Sequence, residues 1–163
     1  MTGASSWSFG EEDFCRIQGI LCGFFGESNA RTALIVDRTG QLVATVGEAP
    51  AFDPTVFASL TAADFSANDQ LARMLGEAEF GTLFHQGERE SMYLADVARR
   101  VILVVLFDNR TTLGLVKLRV KPAVGQLTQV FTEMFERNGA GAPGVESAFL
   151  GEAEDEIDKL FGP

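Results

Sequence analysis

The sequence is poor in the residues that most often build active sites. Its 163 residues include one histidine, His85, and two cysteines. A histidine-dependent nucleophile would have to use His85, and no Cys, Asp or Glu stands near it at metal-ligand spacing. No glycine pair precedes a Lys-Ser or Lys-Thr at the spacing of a phosphate-binding loop. We therefore predict no catalytic residue, no cofactor and no metal, and we interpret His85 as a structural or surface residue.

The two cysteines and the absence of long apolar runs indicate the compartment. Cys15 and Cys22 lie about two turns apart in a predicted helix, too far for a disulfide within it. We expect both to be buried, reduced thiols. No run of 18 apolar residues could span a membrane, and residues 1–10 lack the basic and apolar regions of a signal peptide. We therefore expect a cytoplasmic protein.

Basic residues are also scarce. The chain has 13 Lys and Arg against 23 Asp and Glu, a formal net charge of −10. Without a basic cluster, the protein is a poor binder of nucleic acid and of anionic membranes. Apolar residues make up 46% of the chain and include 14 Phe. Because Phe has no polar group, this composition favours packing and apolar contacts over hydrogen-bonded recognition.

Hydrophobic periodicity predicts eight elements in the order α-β-β-α-β-β-β-α. The predicted helices span residues 11–25, 54–75 and 111–137, and the predicted strands span residues 31–36, 41–46, 81–86, 90–97 and 99–107. Asp53 and Pro54 combine an N-cap carboxylate with proline at the first helical position. The last helix keeps its register through Pro122, which predicts one kinked helix. This order predicts an α/β fold of the α+β type, a three-layer sandwich around a five-stranded antiparallel sheet.

The chain divides into four predicted regions. They are a disordered start (1–10), one folded domain (11–137), a flexible linker (138–148) and an acidic amphipathic tail with a short helix (149–163). Residues 138–163 contain six acids and one lysine. The large apolar residues of the tail are Phe149, Leu150, Ile157, Leu160 and Phe161. The tail is either a solubilising disordered end or a short motif that folds on a partner, and the closeness of its last three apolar residues favours the motif.

The predicted central helix carries apolar residues on two sides. One stripe is predicted to face the sheet and consists of Val56, Leu60, Ala63, Ala67, Leu71 and Met74. The opposite side carries Ala58, Ala62, Phe65, Asp69 and Ala72. A single exposed Phe is common on protein surfaces and need not indicate a contact. Small residues around a large one also allow close packing of helices between subunits, so we predict that this opposite side contacts a second subunit or a partner.

Several segments are similar to one known family. They are residues 34–42, residues 58–62, residues 76–80 with Phe84 and His85, residues 104–116 with the string Asp-Asn-Arg-Thr-Thr-Leu-Gly-Leu-Val, and the ending 155–161. Together they resemble the Roadblock (dynein light chain) family, and within it the bacterial MglB branch. The resemblance implies a homodimer joined through the central helices and an edge strand, with one continuous sheet across both subunits.

The resemblance also implies a partner. One dimer would bind one Ras-like GTPase of the MglA type and accelerate its GTP hydrolysis, in bacterial cell polarity or gliding motility, with enrichment at a cell pole. The implied GTPase-facing positions are Ser66 and Gln70 with their neighbours Phe65, Asp69 and Arg73. The tail, through Ile157, Leu160 and Phe161, would dock on a separate GTPase surface and influence nucleotide exchange. No arginine of this chain is assigned to the nucleotide.

Two alternative functions remain open at this point. A Roadblock scaffold could hold a GTPase without changing its rate, and only a rate measurement separates it from an activator. A small-molecule sensor domain is the second alternative. The sequence shows no set of polar residues converging within the apolar core, which argues against it.

Overall fold

The computed structural model describes residues 10–139. Its elements are α1 (Glu11–Ser28), β1 (Thr32–Asp37), β2 (Leu42–Gly47), α2 (Pro54–Met74), β3 (Thr82–Gln86), β4 (Ser91–Val97), β5 (Val101–Phe107) and α3 (Leu113–Gly139). The predicted order of elements is confirmed, with small shifts at their ends. The predicted disordered start, linker and tail helix fall outside the described residues, apart from the few positions where they adjoin α1 and α3.

The five strands form one antiparallel sheet in the order β2-β1-β5-β4-β3. The central strand β5 is apolar on both faces, and residues 101–105 are fully buried, as expected for a strand covered on both sides. Strands β2 and β3 form the two edges. All of β3 is exposed or half-buried, and among residues 10–139 no strand pairs with its outer edge.

Helices cover both faces of the sheet. Alternate strand residues point to opposite faces, and one face, with Leu34, Val36 and Ile102, packs against α2. Tyr93 and Ala95 point to the other face and line a groove with α3. Helix α1 packs on β1 and β2 and lines a cleft together with α3. The predicted three-layer arrangement is therefore confirmed.

Local chemistry fixes where α2 begins. The Asp53 carboxylate accepts a hydrogen bond from the Thr55 amide at 2.9 Å, and Pro54 occupies the first turn, as predicted. Near this end, the β1–β2 turn has Gly40 at φ +97°. A side chain on Gly40 would place its Cβ 3.1 Å from the Ser59 Cα. Glycine therefore allows both the turn conformation and the close approach of α2.

The expectation that both cysteines are buried is wrong. Cys15 and Cys22 are free thiols on the exposed side of α1. The prediction that they are buried rested on the general tendency of cysteine, but α1 buries a different stripe of residues. That stripe consists of Asp13, Ile17, Leu21, Phe24 and Ser28. The larger aliphatic and aromatic side chains gain more from burial than the thiols, so they decide the orientation of α1.

Candidate partner-binding surfaces

The two sides of α2 are oriented opposite to the prediction. The side predicted to contact a partner lies against the sheet, where Ala58 and Phe65 are fully buried and Ala62 is nearly so. Phe65 belongs to the same apolar cluster as Leu34 and Val104. These three α2 side chains cannot contact a second molecule in the folded chain. Their assignment as partner-binding residues is therefore wrong.

The stripe predicted to face the sheet instead faces outward. The exposed fractions are 55% for Val56, 65% for Leu60, 57% for Leu71 and 83% for Met74. Ala63 and Ala67 are exposed between them, so the apolar stripe is continuous. We call these six residues the outer stripe. A row of large exposed aliphatic side chains on one helix is typical of a protein–protein contact surface.

A charged cluster holds α2 in this orientation. The guanidinium of Arg38, from the β1–β2 turn, forms ion pairs with Asp69 on α2 and Asp96 on β4. It also lies 5.0 Å from the centre of the Phe65 ring, within the range of a cation–π contact. Burial alone would lower the pKa of Arg38, but hydrogen bonds to Asp96 and Asp69 outweigh it and raise that pKa. These contacts require the side of α2 with Phe65 and Asp69 to face the sheet.

The remaining predicted GTPase-facing positions lie on two sides of α2. Asp69 is half-buried and engaged with Arg38. Ser66, Gln70 and Arg73 are exposed and adjoin the outer stripe along the helix. Arg73 and Asp69 also line a small polar pocket at the end of α2. Three of the five predicted GTPase-facing residues on α2 are therefore accessible to a second molecule.

Strand β3 lies beside α2 and extends this surface. His85 Nε2 lies 2.6 Å from the Asp64 carboxylate, which ties the edge strand to the helix. Both side chains are substantially exposed, so the pair sits at the border between the outer stripe and the free edge. The sequence placed His85 at a strand end but gave no sign of the Asp64 contact, because the two residues are 21 positions apart. An exposed helix stripe and an unpaired strand edge thus form one continuous side of the molecule.

The string at residues 108–112 forms a junction between β5 and α3. The Asp108 carboxylate accepts hydrogen bonds from the backbone and side-chain nitrogens of Arg110, and Thr112 Oγ1 accepts one from the Leu115 amide. Arg110 also pairs with Glu48 at 3.1 Å, and Arg31 pairs with the same carboxylate. The residues of this string, which carry part of the family resemblance, therefore connect neighbouring elements of the fold.

The described part of the chain shows no metal-binding group. No set of three or more His, Cys, Asp or Glu within residues 10–139 is placed to hold a metal ion. In the same range, no helix is both long and apolar enough to cross a membrane. The tail positions Phe149, Leu150, Ile157, Leu160 and Phe161 lie outside the described residues, so their partner-binding role stays a prediction.

The fold and its exposed side define a class of protein. An open strand edge beside an apolar helix stripe is typical of a surface that contacts another protein. The sequence model of the Roadblock/LC7 domain matches residues 19–107. The chain belongs to the Roadblock/LC7 family, which is a family of non-catalytic regulatory domains. No curated protein matches the sequence.

Solved structures place the chain near one branch of this family. It is similar to MglB from Myxococcus xanthus, with 42% identity, a TM-score of 0.74, and coverage of 78% of this chain and 96% of that one. It is also similar to the gliding protein MglB from Thermus thermophilus, with 33% identity, a TM-score of 0.73, and coverage of 81% and 99%. A structure described as MglB with a tetrameric arrangement gives 33% identity, a TM-score of 0.74, and coverage of 82% and 99%. The predicted resemblance is confirmed.

Proposed function

We propose that this protein is a homodimeric regulator that binds a Ras-like GTPase of the MglA type and stimulates its GTP hydrolysis. The single observation that carries the proposal is the similarity to two MglB chains over nearly their whole length. The protein would act in the cytoplasm, in bacterial cell polarity or gliding motility, and be enriched at a cell pole. In this proposal the chain has no active site of its own and acts on the GTPase.

The outer stripe and the β3 edge support the homodimer. In a two-fold symmetric dimer, each subunit presents the same surface to the other. Two outer stripes packed antiparallel would bury Leu60 and Leu71 of both copies. The free edges of β3 could then pair across the symmetry axis and continue the sheet, which satisfies their backbone groups. A related MglB structure with a tetrameric arrangement supports self-association within this branch.

The exposed polar residues beside the outer stripe are the proposed GTPase contacts. Ser66, Gln70 and Arg73 lie on successive turns of α2, so a dimer of antiparallel α2 helices would present two copies of this row close together. Such a doubled surface fits one GTPase per dimer. Stimulation would come from positioning groups of the GTPase itself, because positioning alone lowers a barrier by several kcal/mol. The tail would contact a second GTPase surface through Ile157, Leu160 and Phe161.

The decisive experiment is GTP turnover by the MglA-type GTPase of the same organism, with and without this protein. We expect a clear acceleration under multiple-turnover conditions. Replacing both Gln70 and Arg73 by Ala should reduce the acceleration while leaving the molecular mass in solution unchanged. Thr55→Ala, on the exposed first turn of the same helix, serves as the matched control and should keep full activity.

Binding without acceleration would assign the protein to the alternative class of Roadblock scaffolds. This outcome needs a binding measurement alongside the rate, by calorimetry with the GTPase loaded with a non-hydrolysable GTP analogue. Absence of binding would contradict the proposal altogether. A thermal shift with small metabolites would instead point to the sensor alternative.

A further inference from the structure

A groove on the other side of the sheet has a distinct chemical character. It lies between α3 and the strands β3 and β4 and has a volume of about 410 Å³. The sheet contributes Tyr93 and Ala95, and the helix contributes Val120 and Val124. Because these side chains are apolar or aromatic, the groove can accept apolar side chains of a second molecule.

Two lysines line the same groove. Lys117 and Lys121 are four residues apart on α3, so they lie one above the other on the helix surface. The chain contains only three lysines, and the third is Lys159 near its end. Both α3 lysines are exposed, and neither forms an ion pair within the described residues. In a chain with a net charge of −10, these two free ammonium groups favour an acidic ligand.

Asp96 also lines the groove, but its carboxylate is already engaged. One oxygen pairs with the guanidinium of Arg38, and the other accepts a hydrogen bond from the Arg99 amide at 3.1 Å. The ammonium groups of Lys117 and Lys121 are therefore the charges available to an incoming chain. The groove combines an apolar lining with a cationic border.

The chain contains one sequence that complements this groove. Residues 149–161 place the acids Asp155, Glu156 and Asp158 around Ile157, with Leu160 and Phe161 close behind. We propose that the groove is a docking site for this acidic segment, supplied by a second copy of the chain. Apolar side chains of the segment would occupy the lining, and its carboxylates would pair with Lys117 and Lys121.

A second copy can supply the segment because the groove adjoins the proposed dimer edge. Gly81 and Thr82, where β3 begins, line one side of the groove. In this respect the inference rests on the proposed homodimer. Residues 140–148 form a nine-residue spacer before the segment, long enough to span about 30 Å when extended. Docking in the groove and docking on the GTPase would use the same apolar residues and therefore exclude each other.

Zero-length cross-linking of the full-length protein tests this inference. Chains with natural nitrogen and chains with ¹⁵N are mixed in denaturant, refolded together and treated with a carbodiimide, which joins amines to carboxylates. We expect mass spectrometry to find Lys117 or Lys121 linked to acids of residues 152–158, with both isotopes in the same product. Products of one isotope only would overturn the role of a second copy. Absence of these products would overturn the groove itself.

A pair of variants separates docking from chance collision. Ile157→Asp with Leu160→Asp removes two apolar contacts and leaves every reacting amine and carboxylate in place. We expect the cross-link yield to fall about tenfold or more, given the free energy of burying two aliphatic side chains. Val145→Asp with Ala148→Asp adds the same charge outside the segment and should keep the yield. Equal yields from both double variants would contradict the proposal.

The outcome is independent of GTPase activation. Cross-links without any acceleration of GTP hydrolysis would support the groove and contradict the proposed function. Acceleration of GTP hydrolysis without cross-links would support the proposed function and contradict the groove. Docking in the groove and GTPase activation therefore succeed or fail separately, although both rest on the proposed homodimer.

Discussion

The two sides of helix α2 are both apolar, but they differ in the size of their side chains and in what they contact. The inward side carries three alanines and one phenylalanine, together with the polar residues Thr61 and Asn68. The apolar four are Ala58, Ala62, Phe65 and Ala72, and all six residues are buried. The outer stripe carries larger aliphatic side chains, and its Leu60, Leu71 and Met74 are more than half exposed. In α2, unlike α1, the side with more of the large side chains is therefore not the one that enters the core.

The sheet explains why the small side chains lie inward. Its face toward α2 is already filled by large residues such as Leu34, Leu94 and Ile102. Protein interiors are close-packed, so small residues let a helix approach such a face closely. Phe65 is the one large α2 side chain that is fully buried there. The large residues of the outer stripe then remain available for a second molecule. The apolar residues of α2 are thus divided between the core and an exposed surface.

Phe65→Ala should have the largest effect on stability. It removes a fully buried ring and leaves a cavity, which costs about 3 to 5 kcal/mol. Chemical denaturation followed by circular dichroism measures the loss. Phe52→Ala is the matched control, because Phe52 is 42% exposed and its loss should cost much less. Similar losses for both variants would contradict the inward placement of Phe65.

Leu60→Glu should act on assembly instead of on the core. It places a charge in the outer stripe, and two-fold symmetry would bring it near its own copy. We expect the dimer dissociation constant to rise at least about 30-fold, which corresponds to about 2 kcal/mol. Sedimentation equilibrium measures the change. Thr55→Glu adds the same charge on the exposed first turn and should leave the mass unchanged. A monomeric parent protein would contradict the homodimer directly.

Arg38→Met should have an intermediate effect, because it removes the cation that fixes the orientation of α2. The Asp69 and Asp96 carboxylates would lose their partner, and both are mostly buried. Arg38 itself retains partial exposure, so we expect a loss of about 1 to 2 kcal/mol in unfolding free energy. Adding Asp69→Asn should recover part of the loss by removing an unpaired charge. No recovery would indicate that the Phe65 contact, and not the ion pairs, carries the effect.

The elements could be predicted from the sequence because their signals are local. The N-cap at Asp53, the doubly apolar strand β5 and the unbroken register through Pro122 each depend on neighbouring residues. The five-stranded antiparallel sheet followed from the element order, and the match to the Roadblock/LC7 family followed from segments such as residues 108–116. These features can be predicted without knowing which residues lie on the facing side of the sheet.

The candidate site was harder to predict because it depends on distant residues. Which side of α2 is buried depends on the sheet residues that it packs against and on the ion pairs of Arg38. Arg38 is 31 positions from Asp69 and 58 from Asp96. Periodicity reveals that two apolar stripes exist but not which one the sheet accepts. An arginine in a hairpin turn, with aspartates at unrelated positions, gives no pattern along a single sequence. The exposure of Cys15 and Cys22 escaped prediction for a different reason, because that prediction relied on the general tendency of cysteine to be buried.

Arg110→Gln should have the smallest effect on stability. Arg110 pairs with Asp108 and Glu48 and belongs to neither side of α2. Hydrogen bonds from Arg31 and then Arg110 lower the pKa of Glu48, and Arg110 lowers that of Asp108. Lowered pKa values stabilise the fold above the ordinary carboxyl pKa, and this stabilisation is lost as the pH falls through the folded value. The variant should therefore be slightly less stable than the parent near pH 6, and the difference should shrink as the pH falls below the ordinary carboxyl pKa of about 4. Denaturation across this pH range measures it, while sedimentation should show an unchanged mass. A stability difference between variant and parent that grows as the pH falls would contradict the assigned ion pairs. A change in mass would indicate that the proposed dimer forms through Arg110 and not through the outer stripe.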